Sequence, residues 1–167
     1  FGTISWWILG FSFAFSGDHD GFIGGDKHYA GTEFTPDDYY SFMFQWAFAS
    51  TAATIVSGGV AERIRLSAYS AYSIFMTAWV YPLVVHWIWS DNGWLKKEYE
   101  FIDFAGSGVV HLVGGTSALA GAILLGPRSG RFDPEKQQEF IPNNLSFTVL
   151  GTFIHWMGWY GFNCGST

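Results

Sequence analysis

Charged residues are confined to four short segments of the 167-residue chain. Every Lys, Arg, Asp and Glu lies within residues 18–38, 62–65, 91–103 or 128–139. Between them lie five charge-free stretches, residues 1–17, 39–61, 66–90, 104–127 and 140–167. A helix needs roughly 20 mainly apolar residues to cross about 30 Å of hydrocarbon, and the three inner stretches have this length. The pattern therefore predicts a chain that crosses a membrane several times.

Inside hydrocarbon a segment must satisfy its own backbone hydrogen bonds, so each stretch is predicted to be a helix. The fold class is then an all-α, polytopic transmembrane helical bundle. Its spans are predicted at about 1–17 (truncated), 39–61, 66–90, 104–127 and 143–167. The alternative is a set of buried helices in a large soluble enzyme, but such helices usually carry charge on one face. Because Phe1 and Thr167 both lie inside apolar stretches, we expect residues 1–167 to be part of a longer transmembrane domain.

Local signals mark where these helices begin and how they pack. Plausible N-terminal caps are Asp37 or Asp38, Ser67, Asp103, and Asn143 or Asn144. Small residues recur at every fourth position in two of the spans, which predicts close helix packing along these stripes. The stripes are Ala49, Ala53, Ser57 and Ala61, and Ala118, Ala122 and Gly126.

The composition agrees with a membrane location. Only 13% of residues are charged, against about 25% in ordinary soluble domains. If every stretch spans, segments 62–65 and 128–139 share one face, and that face carries five of the eight basic residues and every arginine. The opposite face carries ten of the 14 acidic residues. Because basic residues favour the cytoplasmic side, segments 62–65 and 128–139 are predicted to be cytoplasmic.

Three histidines lie inside predicted spans, where an ionisable group is a functional candidate. They are His86, His111 and His155. For His86 and His155 we favour a structural role, in which a neutral imidazole bonds a carbonyl across a helix interface. A bis-histidine haem or metal centre is disfavoured, since no His-x-x-x-His or Cys/His spacing is present. The single Cys164 provides no disulfide framework, and we predict no metal, no cofactor and no nucleic-acid partner.

Three segments resemble a known family. Residues 103–111 read Asp-Phe-Ala-Gly-Ser-Gly-Val-Val-His, residues 61–65 read Ala-Glu-Arg-Ile-Arg, and residues 158–166 read Gly-Trp-Tyr-Gly-Phe-Asn-Cys-Gly-Ser. The first matches the pattern Asp-Phe-Ala-Gly-x-x-Val-Val-His of the ammonium transporter family (Amt/Mep/Rh), and all three occur in the family's order. The resemblance runs from the end of the family's second span to its sixth. It implies the ammonium-transporter fold of inverted five-helix repeats, incomplete here, and Trp89 favours the Amt/Mep branch.

The resemblance also implies a set of site residues. The family's recruitment site for the cation corresponds to Phe48, Trp89 and Ser166, with Phe44 one turn before Phe48 on the same helical face. The gate phenylalanines correspond to Phe48 and Phe162. His111 corresponds to the first of two facing pore histidines, and by its spacing it lies about 12 Å beyond Asp103. The family's aspartate near the recruitment site corresponds to Asp103, for which we expect a capping role.

The implied function is transmembrane transport of ammonium or ammonia, with methylammonium as a further substrate. It is not an enzymatic one. Cation recruitment would be followed by deprotonation and conduction through an apolar, histidine-lined pore. An alternative is an ammonium sensor or receptor built on the same fold. The implied partners are membrane lipids, two further copies in a homotrimer and a cytoplasmic regulator, and the implied location is the plasma membrane.

Overall fold

The computed structural model of the chain describes residues 1–166 and divides it into two compact units, residues 1–125 and residues from 126 onward. Within residues 1–166 the regular structure is helical and no strand is present, apart from one isolated bridge between His19 and Ile23. The predicted all-α class is confirmed. Thr167, the last residue of the predicted fifth span, lies outside the described residues.

Each charge-free stretch contains a helix. In the first unit these are α1 (Gly2–Phe15), α2 (Pro36–Val60), α3 (66–89) and α5 (Ser107–Leu125), with the short helix α4 (Trp94–Tyr99) after α3. The second unit contains a 3₁₀ helix (Pro134–Phe140) and α6 (Leu145–Cys164). Among the described residues, two segments are long and apolar enough to cross a membrane, Leu66–Tyr99 and Ser107–Leu125, and Gly2–Phe15 is a shorter apolar helix.

Helix α2 begins earlier than its charge pattern predicted. Its cap is Thr35, and Asp37 and Asp38 lie inside the first turn, so the predicted aspartate cap is wrong. Thr35 and Asp38 form a capping box, in which the Asp38 carboxylate accepts from the Thr35 backbone N–H at 2.8 Å. Pro36 occupies the first helical position, where its missing N–H costs nothing. Pro36 thus marks the start of the helix, and the Asp38 carboxylate satisfies the backbone N–H of Thr35, the residue before it.

The predictions for the other helix starts are confirmed at one helix and wrong at another. Asn144 caps α6 as its sequence predicted, accepting from the backbone N–H of Phe147 at 3.1 Å. The predicted cap at Ser67 is wrong, because α3 already begins at Leu66 and has no side-chain cap. Helix α5 begins at Ser107, three residues after the start of its charge-free stretch.

Helices α2 and α5 pack closely through small residues. A Cβ added at Gly114 would lie 3.0 Å from the carbonyl oxygen of Ala52, and one added at Gly59 would lie 2.8 Å from Cβ of Ala118. Such distances leave no room for a larger side chain. Ala118 belongs to a predicted stripe, whereas Ser57 of the other stripe is exposed. The predicted close packing is therefore present, but the contact face of α2 is rotated from the one that the spacing indicated.

Helices α1 and α3 meet at two π-helical turns, Trp6–Gly10 and Met76–Val80. The hydroxyls of Ser5 and Thr77 are 2.6 Å apart, and a Cβ on Gly10 would overlap the carbonyl oxygen of Thr77. The two backbones can approach so closely only because Gly10 has no side chain. This contact fixes α3 against α1 and so places the end of α3, where Trp89 lies.

Candidate functional site

Trp89 is the last residue of α3, and its ring orientation is set by a hydrogen bond. Its indole N–H donates to the backbone carbonyl oxygen of Asp103 at 2.6 Å. The ring also passes close to Gly106, whose added Cβ would lie 3.4 Å from Trp89 Cη2. Since the only polar group of the indole is already bonded, the part of Trp89 that remains available to a ligand is its aromatic face.

An aromatic row of Tyr40, Phe44, Phe48 and Trp89 joins α2 to the end of α3. Ring centroids are 6.4 Å apart for Tyr40 and Phe44, 5.0 Å for Phe44 and Phe48, and 5.6 Å for Phe48 and Trp89. The first pair is stacked with 9° between the planes, and the other two are edge-to-face. Tyr40 is exposed and Phe48 is buried, so the row leads from the surface of this unit into its interior.

Tyr40 was not among the residues selected from the sequence. The signal that could have found it is its spacing, because Tyr40, Phe44 and Phe48 recur every four residues and so share one face of α2. The sequence contains 17 phenylalanines and eight tyrosines, and this abundance hides a single aromatic row.

Asp103 lies four residues before the first residue of α5 and binds its N-terminus with both carboxylate oxygens. Oδ1 accepts from the backbone N–H groups of Gly106 and Ser107 at 2.8 and 2.9 Å, and Oδ2 accepts from those of Gly108 and Val109 at 2.8 and 2.7 Å. The hydroxyl of Ser107 adds a longer bond of 3.3 Å. Four otherwise unpaired helix donors are thereby satisfied. Gly106 makes this turn possible through a φ of 80°, which favours glycine.

Asp103 thus connects two functional candidates. Its side chain caps α5, which carries His111, and its backbone carbonyl accepts the Trp89 indole N–H. The carboxylate is buried and its oxygens are occupied by backbone donors. Its position therefore favours a structural and electrostatic role over direct contact with a ligand.

His111 is the fifth residue of α5, within the π-helical turn Ser107–Leu112. Because the helix begins at Ser107, His111 lies about 6 Å along its axis, about one turn. The predicted depth of about 12 Å beyond Asp103 assumed that the helix began at residue 104 and is wrong. The ring nitrogen Nδ1 is 3.1 Å from the carbonyl oxygen of Gly106. A carbonyl can only accept, so Nδ1 carries the proton and the neutral ring has its lone pair on Nε2.

The two other span histidines differ from each other. His86 is fully buried, with Nδ1 2.9 Å from the carbonyl oxygen of Ala14 in α1, as expected for a bond across a helix interface. Its Nε2 also faces Asp18, which the sequence did not indicate. His155 is exposed, and its Nδ1 is 3.0 Å from the carbonyl oxygen of Gly151 in its own helix. Over residues 1–166, no three His, Cys, Asp or Glu side chains are arranged as metal ligands.

Phe162 and Ser166 belong to the second unit. Ser166 follows the end of α6, and its hydroxyl donates to the carbonyl oxygen of Phe162 one turn earlier. In the loop before α6, the guanidinium groups of Arg128 and Arg131 lie 5.0 and 5.4 Å from the ring centroid of Phe140. Within the first unit, the structure therefore brings together Phe44, Phe48, Trp89 and Asp103.

A model of the family described as Ammonium Transporter Family matches residues 1–167. The chain belongs to the ammonium transporter family. Among its relatives, rice ammonium transporter 1 member 2 is 48% identical over 178 residues, which cover 99% of this chain and 36% of that protein. The chain thus spans about a third of the length of the curated relatives it matches.

Two solved structures of the family are also similar. A protein described as "Sensor Amt Protein" matches with a TM-score of 0.88 and 40% identity, covering 99% of this chain and 43% of that one. Mep2 from Candida albicans matches with a TM-score of 0.86 and 32% identity, covering 99% and 38%. The resemblance found in the sequence and the ammonium-transporter fold are both confirmed by these matches.

Proposed function

We propose that the protein containing this chain transports ammonium or ammonia across a membrane. The single observation that carries the proposal is the aromatic row, which ends on a Trp89 ring held in place by the Asp103 carbonyl. Curated relatives that match 99% of the chain are named ammonium transporters. The cation is recruited at Phe48 and Trp89, with Phe44 beside them and the hydroxyl of Ser166 accepting one N–H.

The chemistry of the row suits a small cation. A cation over an aromatic face gains roughly 0.5–2 kcal/mol, with the larger values where water is excluded. Tyr40 is exposed and Phe48 is buried, so a cation that arrives at Tyr40 meets aromatic rings that are increasingly shielded from water as far as Phe48. Trp89, beyond it, is half-buried. The Asp103 carboxylate does not hold the cation directly, since its oxygens are already bonded to backbone N–H groups at the start of α5.

Passage beyond the recruitment site requires loss of a proton. A bare ammonium ion is very costly to move through hydrocarbon, whereas neutral ammonia is not. We assign the gate to Phe48 and Phe162 and the proton relay to His111. The geometry of His111 supports this role, because its Nδ1 bond to Gly106 directs the basic lone pair to Nε2.

We further propose that the protein crosses the plasma membrane several times as a homotrimer, surrounded by lipid. Segments 62–65 and 128–139 face the cytoplasm, where a regulator can contact them. The support is the distribution of arginine in these segments. Methylammonium is accepted as well, because recognition by aromatic faces tolerates an added methyl group.

The test uses the full-length protein reconstituted in liposomes. Ammonium-evoked current and internal alkalinisation by ammonia are recorded in parallel on the same preparation, with protein-free liposomes as the baseline. If the protein transports ammonium or ammonia, at least one of the two measurements should show a protein-dependent signal, and this signal should saturate with ammonium concentration. Equal signals from protein-containing and protein-free liposomes, with correctly assembled protein, would rule out the proposal.

The second candidate is an ammonium sensor, which the 40% identity to the solved sensor protein favours. Both functions require the recruitment site. A sensor would bind ammonium and change conformation, and its gene would encode a signalling domain after the transporter domain. Binding of methylammonium without any flux in the liposome assay, together with such a domain, would favour the sensor.

A further inference from the structure

His86 lies in the core of the first unit with an oxygen atom opposite each ring nitrogen. Its Nδ1 is 2.9 Å from the carbonyl oxygen of Ala14, and its Nε2 is 3.3 Å from Oδ1 of Asp18. The imidazole is fully buried, while the Asp18 side chain is 30% exposed. A histidine that served only to bond a carbonyl would need only one of these contacts.

These contacts determine how many protons the pair holds. The Ala14 carbonyl has no proton to give, so Nδ1 must donate. Nε2 then has either a proton of its own or a lone pair directed at a carboxyl oxygen. A lone pair facing a carboxylate would be repulsive, so one proton lies between Nε2 and Oδ1. Imidazole is the stronger base of the two, so this proton lies nearer to Nε2 than to Oδ1.

The surroundings of Asp18 support its ionised form. Its Oδ1 also accepts from the backbone N–H of Gly21 at 2.8 Å. Partial desolvation raises the pKa of the Asp18 carboxyl, but the hydrogen bonds from Gly21 and His86 and the charge of Lys97 outweigh it, so the pKa lies below its ordinary value. Other ionisable side chains on the neighbouring segments include His19, Asp20, Asp26, Asp91 and Lys96. Among them His19 pairs with Asp26 at 3.2 Å, and Lys96 with Asp91 at 2.7 Å.

The pair lies at the junction between two segments of chain. Residues 16–24, here called the clamp loop, follow α1 and contact the end of α3. The indole N–H of Trp87 donates to the carbonyl oxygen of Phe22 at 2.8 Å, and the backbone N–H of Trp94 donates to that of Gly21 at 3.1 Å. His86 precedes Trp89 by three residues, one helical turn. The clamp loop therefore holds the turn of α3 that presents Trp89.

We infer that Asp18, at the surface, and the buried His86 form a charged pair that locks the clamp loop onto α3 and so positions Trp89 for cation recruitment. The pair is a positioning device and does not contact the substrate. The effect of the pair on cation recruitment rests on the function proposed above. The charge state of the pair does not depend on that function, so the charge state and the positioning role can be tested separately.

The charge state is tested by nitrogen-15 NMR of histidine in the full-length protein, in lipid bilayers at pH 7. We expect both ring nitrogens of His86 to be protonated, with the resonance assigned by its loss in His86→Gln. In Asp18→Asn the amide can donate to Nε2, so we expect Nε2 to lose its proton. An unprotonated ring nitrogen on His86 in the wild-type protein would overturn the inference, whether or not the protein transports ammonium.

The positioning role is tested by methylammonium uptake at equal surface expression. Asp18→Asn should raise the half-saturation concentration about fivefold, the loss expected when a cation–π contact is misaligned, and leave the maximal rate nearly unchanged. Asp20→Asn is the matched control, because Asp20 is an exposed carboxylate of the same loop. Equal rises in the half-saturation concentration of the two variants would show that the loss of any negative charge in this loop causes the effect. That result would overturn the positioning role.

Two further variants cover the case in which Asp18→Asn assembles poorly. Asp18→Glu keeps the charge and should retain a half-saturation concentration within about twofold of wild type. His86→Lys keeps a positive charge without the imidazole geometry, and should show the fivefold shift. A shift in Asp18→Glu as large as in Asp18→Asn, with trimers intact, would also overturn the positioning role.

Discussion

The indole N–H of Trp89 donates to the backbone carbonyl of Asp103, whose side chain caps the next membrane helix. The proposed recruitment residue Trp89 and the helix that carries His111 are therefore joined through one amino acid. A change in the cap of α5 is expected to reach Trp89 through the covalent frame of Asp103 and one hydrogen bond. The predictions below separate the roles of the two residues.

Replacing Trp89 by leucine should weaken cation capture. Loss of the aromatic face removes about 1 kcal/mol, which corresponds to a roughly fivefold rise in half-saturation concentration. Trp89→Phe should have a smaller effect, because it keeps a ring and loses only the bond to Asp103. The measurement is methylammonium uptake over a range of concentrations. Trp79→Leu, a tryptophan on the same helix that packs on Phe13, is the control and should leave the half-saturation concentration near wild type.

Replacing His111 by alanine should change which species crosses. Without a proton relay, ammonium-evoked current should fall relative to ammonia flux by about tenfold or more. His155→Ala is the matched control, since His155 also bonds a carbonyl of its own helix through Nδ1. Current and flux are recorded on the same liposomes, with correct assembly of the variant checked. Wild-type values of both signals in His111→Ala would exclude the relay.

Replacing Asp103 by alanine should destabilise the protein. Four backbone donors of α5 lose their partners at a buried site, which should lower the free energy of unfolding by about 1–3 kcal/mol. Thermal unfolding in detergent measures the change. Asp133→Ala removes an exposed cap that accepts from Glu135 at 3.0 Å, and it should cost clearly less. A melting temperature of Asp103→Ala equal to that of Asp133→Ala would contradict the capping role.

The capping box of α2 should make part of the stability depend on pH. The hydrogen bonds from Thr35 hold the pKa of the Asp38 carboxyl below its ordinary value of 3.8. A depressed folded-state pKa contributes stability above the unfolded-state pKa, and this stability is lost as the pH falls through the folded-state value. The difference in melting temperature between wild type and Asp38→Asn should therefore be constant from about pH 7 to 5 and shrink below about pH 4.

Asp37 provides the comparison for this pH dependence. It lies in the same first turn of α2 and is exposed, so Asp37→Asn retains the capping box. The difference in melting temperature between Asp37→Asn and wild type should be small throughout the pH range. A difference for Asp38→Asn that does not change with pH would show that the carboxylate charge is not what stabilises the helix start.

The proposed orientation can be tested by cysteine labelling. In a Cys164→Ser background, a cysteine at Ser129 should be protected from a membrane-impermeant reagent in intact cells and react after permeabilisation. A cysteine at Asp20, on the opposite face, should react without permeabilisation. The reverse pattern would mean that segment 128–139 lies outside the cell.

The sequence alone determined the helices, the membrane class and the family. Charge is excluded from hydrocarbon at every position of a span, so the spacing of charged residues indicates roughly where each helix lies. It does not give the helix ends, since α2 begins at Pro36 and α5 at Ser107. The cap at Asn144 could also be predicted from the sequence, because a cap acts over three or four residues. The motif from Asp103 to His111 could be recognised because its residues are contiguous. The early start of α2 was misread, since Thr35 and Asp38 share the cap and Asp38 alone gives no boundary.

Only the tertiary structure decided which distant side chains meet. The resemblance had already placed Phe48 and Trp89 in one site, but the edge-to-face contact between their rings depends on how α2 and α3 cross. The pairing of Asp18 with His86 had no signal in the sequence, because 68 positions separate them. A helix forms through hydrogen bonds between nearby backbone groups, so the local sequence predicts it. The contacts between helices depend on where two helices approach closely, at residues such as Gly10 and Gly114. The sequence does not specify which helix packs against each of these glycines.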